Sequence, residues 1–160
     1  MGRVTRNQTL MEVAQAVAKR GTCSRLQVGA VFSKDGRIIA TGYNGAPAGM
    51  AHCFHRSIDE IPAPEYLEMI NGIRPKEWKG CTIAEHAERN GIAFAAKYGL
   101  ALDGSELHCT HAPCLDCARS IINAGIKTVT YLTPYRLTDG VEFLRIAGLD
   151  VVDFSYEGLV

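Results

Sequence analysis

The sequence predicts an α/β fold, a mixed five-stranded sheet with helices on its faces, and three observations carry that reading. Helical and strand-like hydrophobic patterns follow one another in the order α-β-β-α-β-α-β-α-β, which a single sheet covered by helices accommodates. The 160 residues suit one domain, residues 1–160, with one substantial core. With 47% apolar and 21% charged residues, the composition is that of an ordinary globular protein.

Each element has its own signal. Thr9–Arg20 carries Leu10, Val13, Ala14, Val17 and Ala18 at the i, i+3, i+4, i+7, i+8 spacing of an amphipathic helix, and Gly21 is a stop. Gln27–Ser33 and Arg37–Gly42 read as strands, joined by Lys34-Asp35-Gly36 with the Asp-Gly pair of a tight hairpin. Tyr43–Thr82 lacks clear periodicity and holds Pro47, Pro62, Pro64 and Pro75. Such a length is uncommon inside a compact domain and marks a functional loop or an insertion, here at residues 50–82, with one short helix around Glu65–Asn71. Ala84–Tyr98 is an alanine-rich helix closed by Gly99, and Ser105–Thr110 is a strand. Cys114–Ala124 is a helix that follows Pro113 and stops at Gly125. Lys127–Leu132, Asp139–Ala147 and Leu149–Phe154 follow as strand, helix and strand.

Lys+Arg and Asp+Glu number 17 each, so the formal net charge is zero. That balance offers no electrostatic footprint for a long polyanion, and nucleic acid is not an expected partner. No run approaches the length of a membrane span, and the basic Met1-Gly2-Arg3-Val4-Thr5-Arg6 is not followed by an apolar secretory segment. No membrane association and a cytoplasmic setting are therefore expected. In that setting the six cysteines are reduced thiols or metal ligands rather than disulfides.

The chemistry concentrates in His86-Ala87-Glu88 and Pro113-Cys114-Leu115-Asp116-Cys117. One imidazole and two thiolates, His86, Cys114 and Cys117, make a three-ligand zinc set and leave the fourth tetrahedral position to water. Both halves fall at predicted helix starts. Cys114 and Cys117, three apart, share one face of a first turn, where the helix dipole favours thiolates. At an opening turn His86 and Glu88 can both lean over the helix end, provided that the two helix starts face each other. Glu88 then carries protons for the activated water, a task that suits a carboxylate. A structural zinc with Glu88 solvated is the competing reading, but structural sites usually have four protein ligands. The pattern is that of zinc-dependent nucleobase deaminases.

These residues resemble the cytidine deaminase superfamily. Gly42-Tyr43-Asn44-Gly45-Ala46-Pro47-Ala48-Gly49 resembles the loop of dCMP deaminases of phage or bacterial type. Cys23-Ser24-Arg25, Val28-Gly29-Ala30 and His86-Ala87-Glu88-Arg89-Asn90 match as well, so the likeness spans most of residues 10–135. It implies a three-layer α/β/α fold and hydrolysis of dCMP to dUMP and ammonia, which supplies thymidylate synthesis. It also implies that Asn44 holds the sugar, that the backbone at Ala87 meets the pyrimidine edge, and that the backbone at His111 and Ala112 lies near the leaving amine. His111 stands where the resemblance leads one to expect a small Ser or Thr, either as an extra substrate contact or as a histidine lining the pocket.

A monophosphate needs cations or N–H donors, for which Arg25 and Arg136 are the candidates, each equally well read as a solvated charge. Tyr135 either closes over the sugar or phosphate or packs at a strand end. The resemblance further implies a homo-oligomer, often a hexamer, activated by dCTP (with Mg2+) and inhibited by dTTP. Gly42, Tyr43, Asn44, Gly45, Pro47 and Gly49 would belong to that effector site, where glycines permit positive φ and close approach to a nucleotide; an ordinary strand-exit turn is the alternative.

Cys23 and Cys53 match a pattern in which a second, structural zinc ties the insertion to the core, with His55 and Cys81 as weaker ligands and His52 nearby. Buried free thiols account for them as well. His108 and Cys109 alternate faces of a strand and read as structural. Three other functions stay open. One is a 5-substituted dCMP as substrate, and another is a tRNA or polynucleotide deaminase, which calls for a basic surface and aromatic platforms. The third is a zinc-stabilised nucleotide-sensing module, against which Glu88 speaks because binding alone needs no proton shuttle.

Overall fold

In the computed structural model, which describes residues 2–23, 25–50, 52 and 83–155, helix α1 (Arg6–Ala18) begins earlier than its apolar stripe predicts. The cause is a capping box: the Thr5 hydroxyl accepts from the Gln8 N–H, and the Gln8 side-chain oxygen accepts from the Thr5 N–H. Strands β1 (Gly29–Lys34) and β2 (Arg37–Tyr43) form the expected hairpin. Asp35 and Gly36 both have positive φ, 51° and 75°, as a two-residue type I′ turn demands. The ladder starts at Gly29 instead of Gln27. The Val28 N–H is taken by the Asn44 side chain, and the Gln27 side chain turns to the carbonyls of Lys19 and Gly21.

Nearly all of the insertion expected at residues 50–82, including the helix around Glu65–Asn71, lies outside the described residues. Beyond it stand α2 (Ala87–Tyr98), β3 (Glu106–His111), α3 (Leu115–Asn123), β4 (Thr128–Thr133), α4 (Asp139–Ile146) and β5 (Asp150–Asp153). Helix α2 starts at Ala87 rather than Ala84, because Glu85 is held in a two-way backbone bridge with Gly45 and His86 stays extended. Gly99 ends it in the left-handed conformation that its position predicts. Among the described residues, no helix is long and apolar enough to cross a membrane.

The sheet order is β2-β1-β3-β4-β5, with β1 antiparallel to both neighbours and β3, β4 and β5 parallel. Alternation along β1 divides the core between two faces. Val31 points to α1 and packs with Leu10, Met11, Ala14 and Phe154. Ala30 and Phe32 point the other way, into the larger core shared with Leu107, Val129, Ile121 and Leu144, where α2, α3 and α4 pack. The three-layer α/β/α arrangement is thus the one expected. Burying a side chain such as Phe32 completely contributes about 1.5–3 kcal/mol.

One crossing in this core fixes the position of the site. At Gly42, β2 meets α2 backbone to backbone: a Cβ there would fall 2.1 Å from the Ala87 carbonyl oxygen and 2.6 Å from the Gly91 nitrogen. Only a residue without a side chain lets the first turn of α2 lie this close to the sheet.

Candidate active site

Because β1 runs antiparallel to β3, the start of β1, the end of β2 and the carboxyl end of β3 share one end of the sheet. The N-termini of α2 and α3 meet over that end. Strand direction changes there, which is where α/β sheets open a crevice for ligands. An open cleft occupies the place. Leu26, Val28 and Asn44 form one wall, and His86, Ala87 and Glu88 descend from α2. His111, Ala112 and Cys114 come from the β3–α3 connection, with Tyr135 from beyond β4.

His86 and Cys114 are the N-cap residues of α2 and α3, both extended, with ψ of 151° and 171°. An N-cap side chain ordinarily accepts from its own helix, yet neither of these makes such a bond. They turn toward each other instead. The His86 Nδ1 lies 3.5 Å from Cys114 Sγ and 3.4 Å from Cys117 Sγ. Tetrahedral zinc with ordinary Zn–S and Zn–N lengths requires an N···S edge of roughly 3.5 Å, so the donor set fits that ion. Among the described residues, no other group of three or more His, Cys, Asp or Glu side chains gathers in this way.

The cluster prepares its own charge. A hydrogen bond from Cys117 pulls the Cys114 thiol down to about 3, with His86 adding to the effect against burial. His86 is raised, first by its hydrogen bond to Cys114. Cys117 is pushed up, because its hydrogen is given to Cys114 and because it is buried. One thiolate beside a shared proton is an arrangement in which a divalent cation replaces that proton. Glu88, in the first turn of α2, is only 4% exposed. Burial pushes its carboxyl up, partly offset by its own backbone N–H and by His86. A carboxyl shifted toward neutrality can both accept and release a proton.

The loop after β2 holds this assembly in place. Gly45 exchanges backbone hydrogen bonds of 2.8 and 3.1 Å with Glu85, whose carboxylate accepts from the His86 N–H at 2.9 Å and pairs with Arg89. The Asn90 side chain donates to the Tyr43 carbonyl at 2.6 Å. Asn44 lines the cleft, but its amide is already engaged: Oδ1 accepts from the Val28 N–H at 2.8 Å, and Nδ2 donates to the Leu26 carbonyl at 2.7 Å. One lone pair and one hydrogen of that amide remain for a ligand.

Of Gly42, Gly45 and Gly49, only Gly49 has a positive φ, 85°. The close approach at Gly42 is to the backbone of α2. Pro47 lies in the same loop, beyond the Gly45–Glu85 bridge.

The remaining candidates divide. His111, Ala112 and Tyr135 join Ala87 at the cleft, whereas Arg25 and Arg136 are exposed and do not line it. The Arg136 guanidinium instead lies 5.9 Å from the centre of the Tyr135 ring, a cation over an aromatic face. Cys23 is buried and belongs to no ligand cluster among the described residues; Cys53, His55 and Cys81 lie outside them, and His52 is exposed. His108 and Cys109 take opposite faces of β3 as expected, His108 against Asn7 of α1 and Cys109 in the larger core. The pattern of residue types left Leu26, Thr110 and Glu85 unmarked and gave Val28 no place at the site, although Val28 belongs to the family likeness. For Glu85 a signal existed, its i,i+4 spacing to Arg89 beside His86; the apolar walls have none.

Comparison with known proteins agrees with this geometry. A family model described as the cytidine and deoxycytidylate deaminase zinc-binding region matches residues 4–133. The chain is 42% identical to the ComE operon protein 2 of Bacillus subtilis, with 100% of this chain and 77% of that one aligned. It is 32% identical to the deoxycytidylate deaminase of Enterobacteria phage T4, covering 94% of this chain and 91% of the phage protein. The crystal structure of a dCMP deaminase from the cyanophage S-TIM5, in complex with dCMP and dUMP, superposes with a TM-score of 0.73. That pair is 33% identical, over 96% of this chain and 99% of the other.

Proposed function

We propose that this chain, which belongs to the cytidine and deoxycytidylate deaminase family, hydrolyses dCMP to dUMP with release of ammonia. The observation that carries the reading is the buried Glu88 beside the His86, Cys114 and Cys117 triangle, with N···S edges of 3.4 and 3.5 Å, at the floor of an open cleft. The relatives named deoxycytidylate deaminase, and the cyanophage enzyme with dCMP and dUMP, support the choice of substrate.

His86, Cys114 and Cys117 would hold zinc, which when bound supplies the Lewis acidity that makes water acidic near neutrality. Glu88 accepts the proton of the attacking water while its oxygen bonds to the ring carbon that carries the amine. Glu88 gives that proton to the ring nitrogen, then takes the second proton from the new hydroxyl and passes it to the amine, which departs as ammonia while the carbonyl forms. Its burial matters at both stages, because a fully exposed carboxylate would be too weak an acid–base partner near neutral pH. Leu26 and Val28 form an apolar wall suited to a planar base, and the free valences of Asn44 suit a sugar hydroxyl.

Kinship extends the proposal to a cytoplasmic homo-oligomer that supplies dUMP for thymidylate synthesis. It also extends it to regulation by dCTP and dTTP through the loop at residues 42–49. The test is a substrate panel of dCMP, CMP, deoxycytidine, 5-methyl-dCMP and an adenosine-containing RNA, each incubated with the zinc-loaded protein and followed by ammonia release. dCMP is expected to be turned over fastest, and repeating it with dCTP and dTTP reads the regulation. If no cytosine monophosphate reacts, the proposal is wrong.

A further inference from the structure

We propose that His111 is a neutral hydrogen-bond donor locked into one tautomer, and that its Nε2–H binds an acceptor oxygen of the nucleotide in the cleft. The inference rests on the reading of this cleft as a nucleotide site. Its physical basis is the hydroxyl of Thr110, which lies 3.1 Å from the Gly29 nitrogen and 3.0 Å from the His111 Nδ1. The Gly29 N–H can only donate, so the hydroxyl accepts there. A hydroxyl has one hydrogen of its own to place. Thr110 is only 5% exposed, and its oxygen has no third partner among the described residues.

Two assignments are conceivable. If the His111 Nδ1 carried the ring hydrogen, the hydroxyl would accept twice and leave its own hydrogen buried without a partner, which is costly. If the hydroxyl donates to Nδ1, the Gly29 N–H, the buried hydroxyl and Nδ1 are all satisfied and the ring hydrogen sits on Nε2. The second assignment follows. Burial also holds the imidazole below its usual range, in keeping with a neutral ring. The lock originates in the fold, because Gly29 meets Thr110 only through the β1–β3 register that sets Ala30 opposite Cys109.

His111 lines the cleft beside Ala112, and its Nε2 has no protein partner among the described residues. A donor fixed in this way, on the last residue of a strand, is oriented before any ligand arrives. It complements an oxygen of the base, sugar or phosphate and needs no charge to do so. Thr110 is the positioning residue and His111 the one that touches substrate.

Long-range ¹H–¹⁵N spectra of the zinc-loaded protein read the tautomer directly, and the Nε2–H form is expected. An Nδ1–H form overturns the inference. Thr110→Ser should preserve the tautomer, while Thr110→Val should release it. His111→Phe keeps a planar ring without a donor. Through a higher KM, it should lower kcat/KM for dCMP by about three- to tenfold, the range a neutral hydrogen bond supplies, with Gln partly restoring it. The same fall with deoxycytidine assigns the oxygen to the nucleoside, and a fall confined to dCMP assigns it to the phosphate. An unchanged KM in a folded, zinc-containing His111→Phe protein sinks the inference. If His111→Phe does not fold, the wild-type spectrum decides. A wild-type protein that turns over no cytosine nucleotide defeats the reading of the site, whereas the tautomer is measured independently of it.

Discussion

Gly42→Ala places one methyl group between β2 and the first turn of α2. Its Cβ would start 2.1 Å from the Ala87 carbonyl oxygen and 2.6 Å from the Gly91 nitrogen, both backbone atoms with no rotamer by which to escape. Ordinary contact begins near 3.4 Å, so the helix must retreat by roughly 1 Å. Overpacking of this kind costs about 1–3 kcal/mol. At roughly 2–4 °C per kcal/mol for a domain of this size, the melting temperature should fall by several degrees. The same retreat displaces Glu88 and the His86 N-cap, and a misplacement of about 1 Å at reacting groups costs on the order of 10²-fold in rate. Thermal unfolding, zinc content and kcat for dCMP, measured on one preparation, separate the two effects. A variant with wild-type melting temperature and kcat would refute the packing argument. A lower melting temperature with unchanged kcat would refute the link between this crossing and catalysis. If only the response to dCTP changed, the glycine would serve an effector and not the helix.

Two further outcomes follow from the site and from α1. Glu88→Ala should retain zinc but lose about 10²–10⁴-fold in kcat, and comparable activity would remove the proton shuttle. His108 is held down to about 4 by burial and by Arg6, against an ordinary 6.5. The unfolded chain therefore takes up this proton first as pH falls. The contribution of a neutral His108 is complete above about pH 6.5 and is lost between there and about pH 4, by at most about 3 kcal/mol before screening by water is discounted. Urea unfolding over that window should show a shallower pH dependence for His108→Leu than for the wild type, and equal slopes would contradict this.

How much was legible from residue types alone varies along the chain. The Asp35-Gly36 hairpin, the Gly99 stop and the start of α3 just after Pro113 were readable because each depends on local backbone chemistry. The start of α1 was readable too: Thr5 and Gln8 have the spacing of a capping box, a signal the apolar stripe overshadowed. The starts of β1 and α2 were not, since they are set by Asn44 reaching Val28 across 16 residues and by Gly45 bridging to Glu85. Long-range partners of this kind leave no trace in a local pattern.

The sequence by itself determined which groups could do chemistry. An imidazole, two thiolates three residues apart and a carboxylate two residues from the imidazole have the donor types and spacing that could hold an ion and carry a proton. Only the tertiary structure decided how those groups meet and what else meets them. The N···S edges of 3.4 and 3.5 Å, the burial that raises Glu88, and the Thr110 hydroxyl that fixes His111 all depend on strand order and helix approach. The exposed Arg25 and Arg136 make the same point from the other side: a cation can be named from a sequence, but its distance from a cleft is a property of the packed chain.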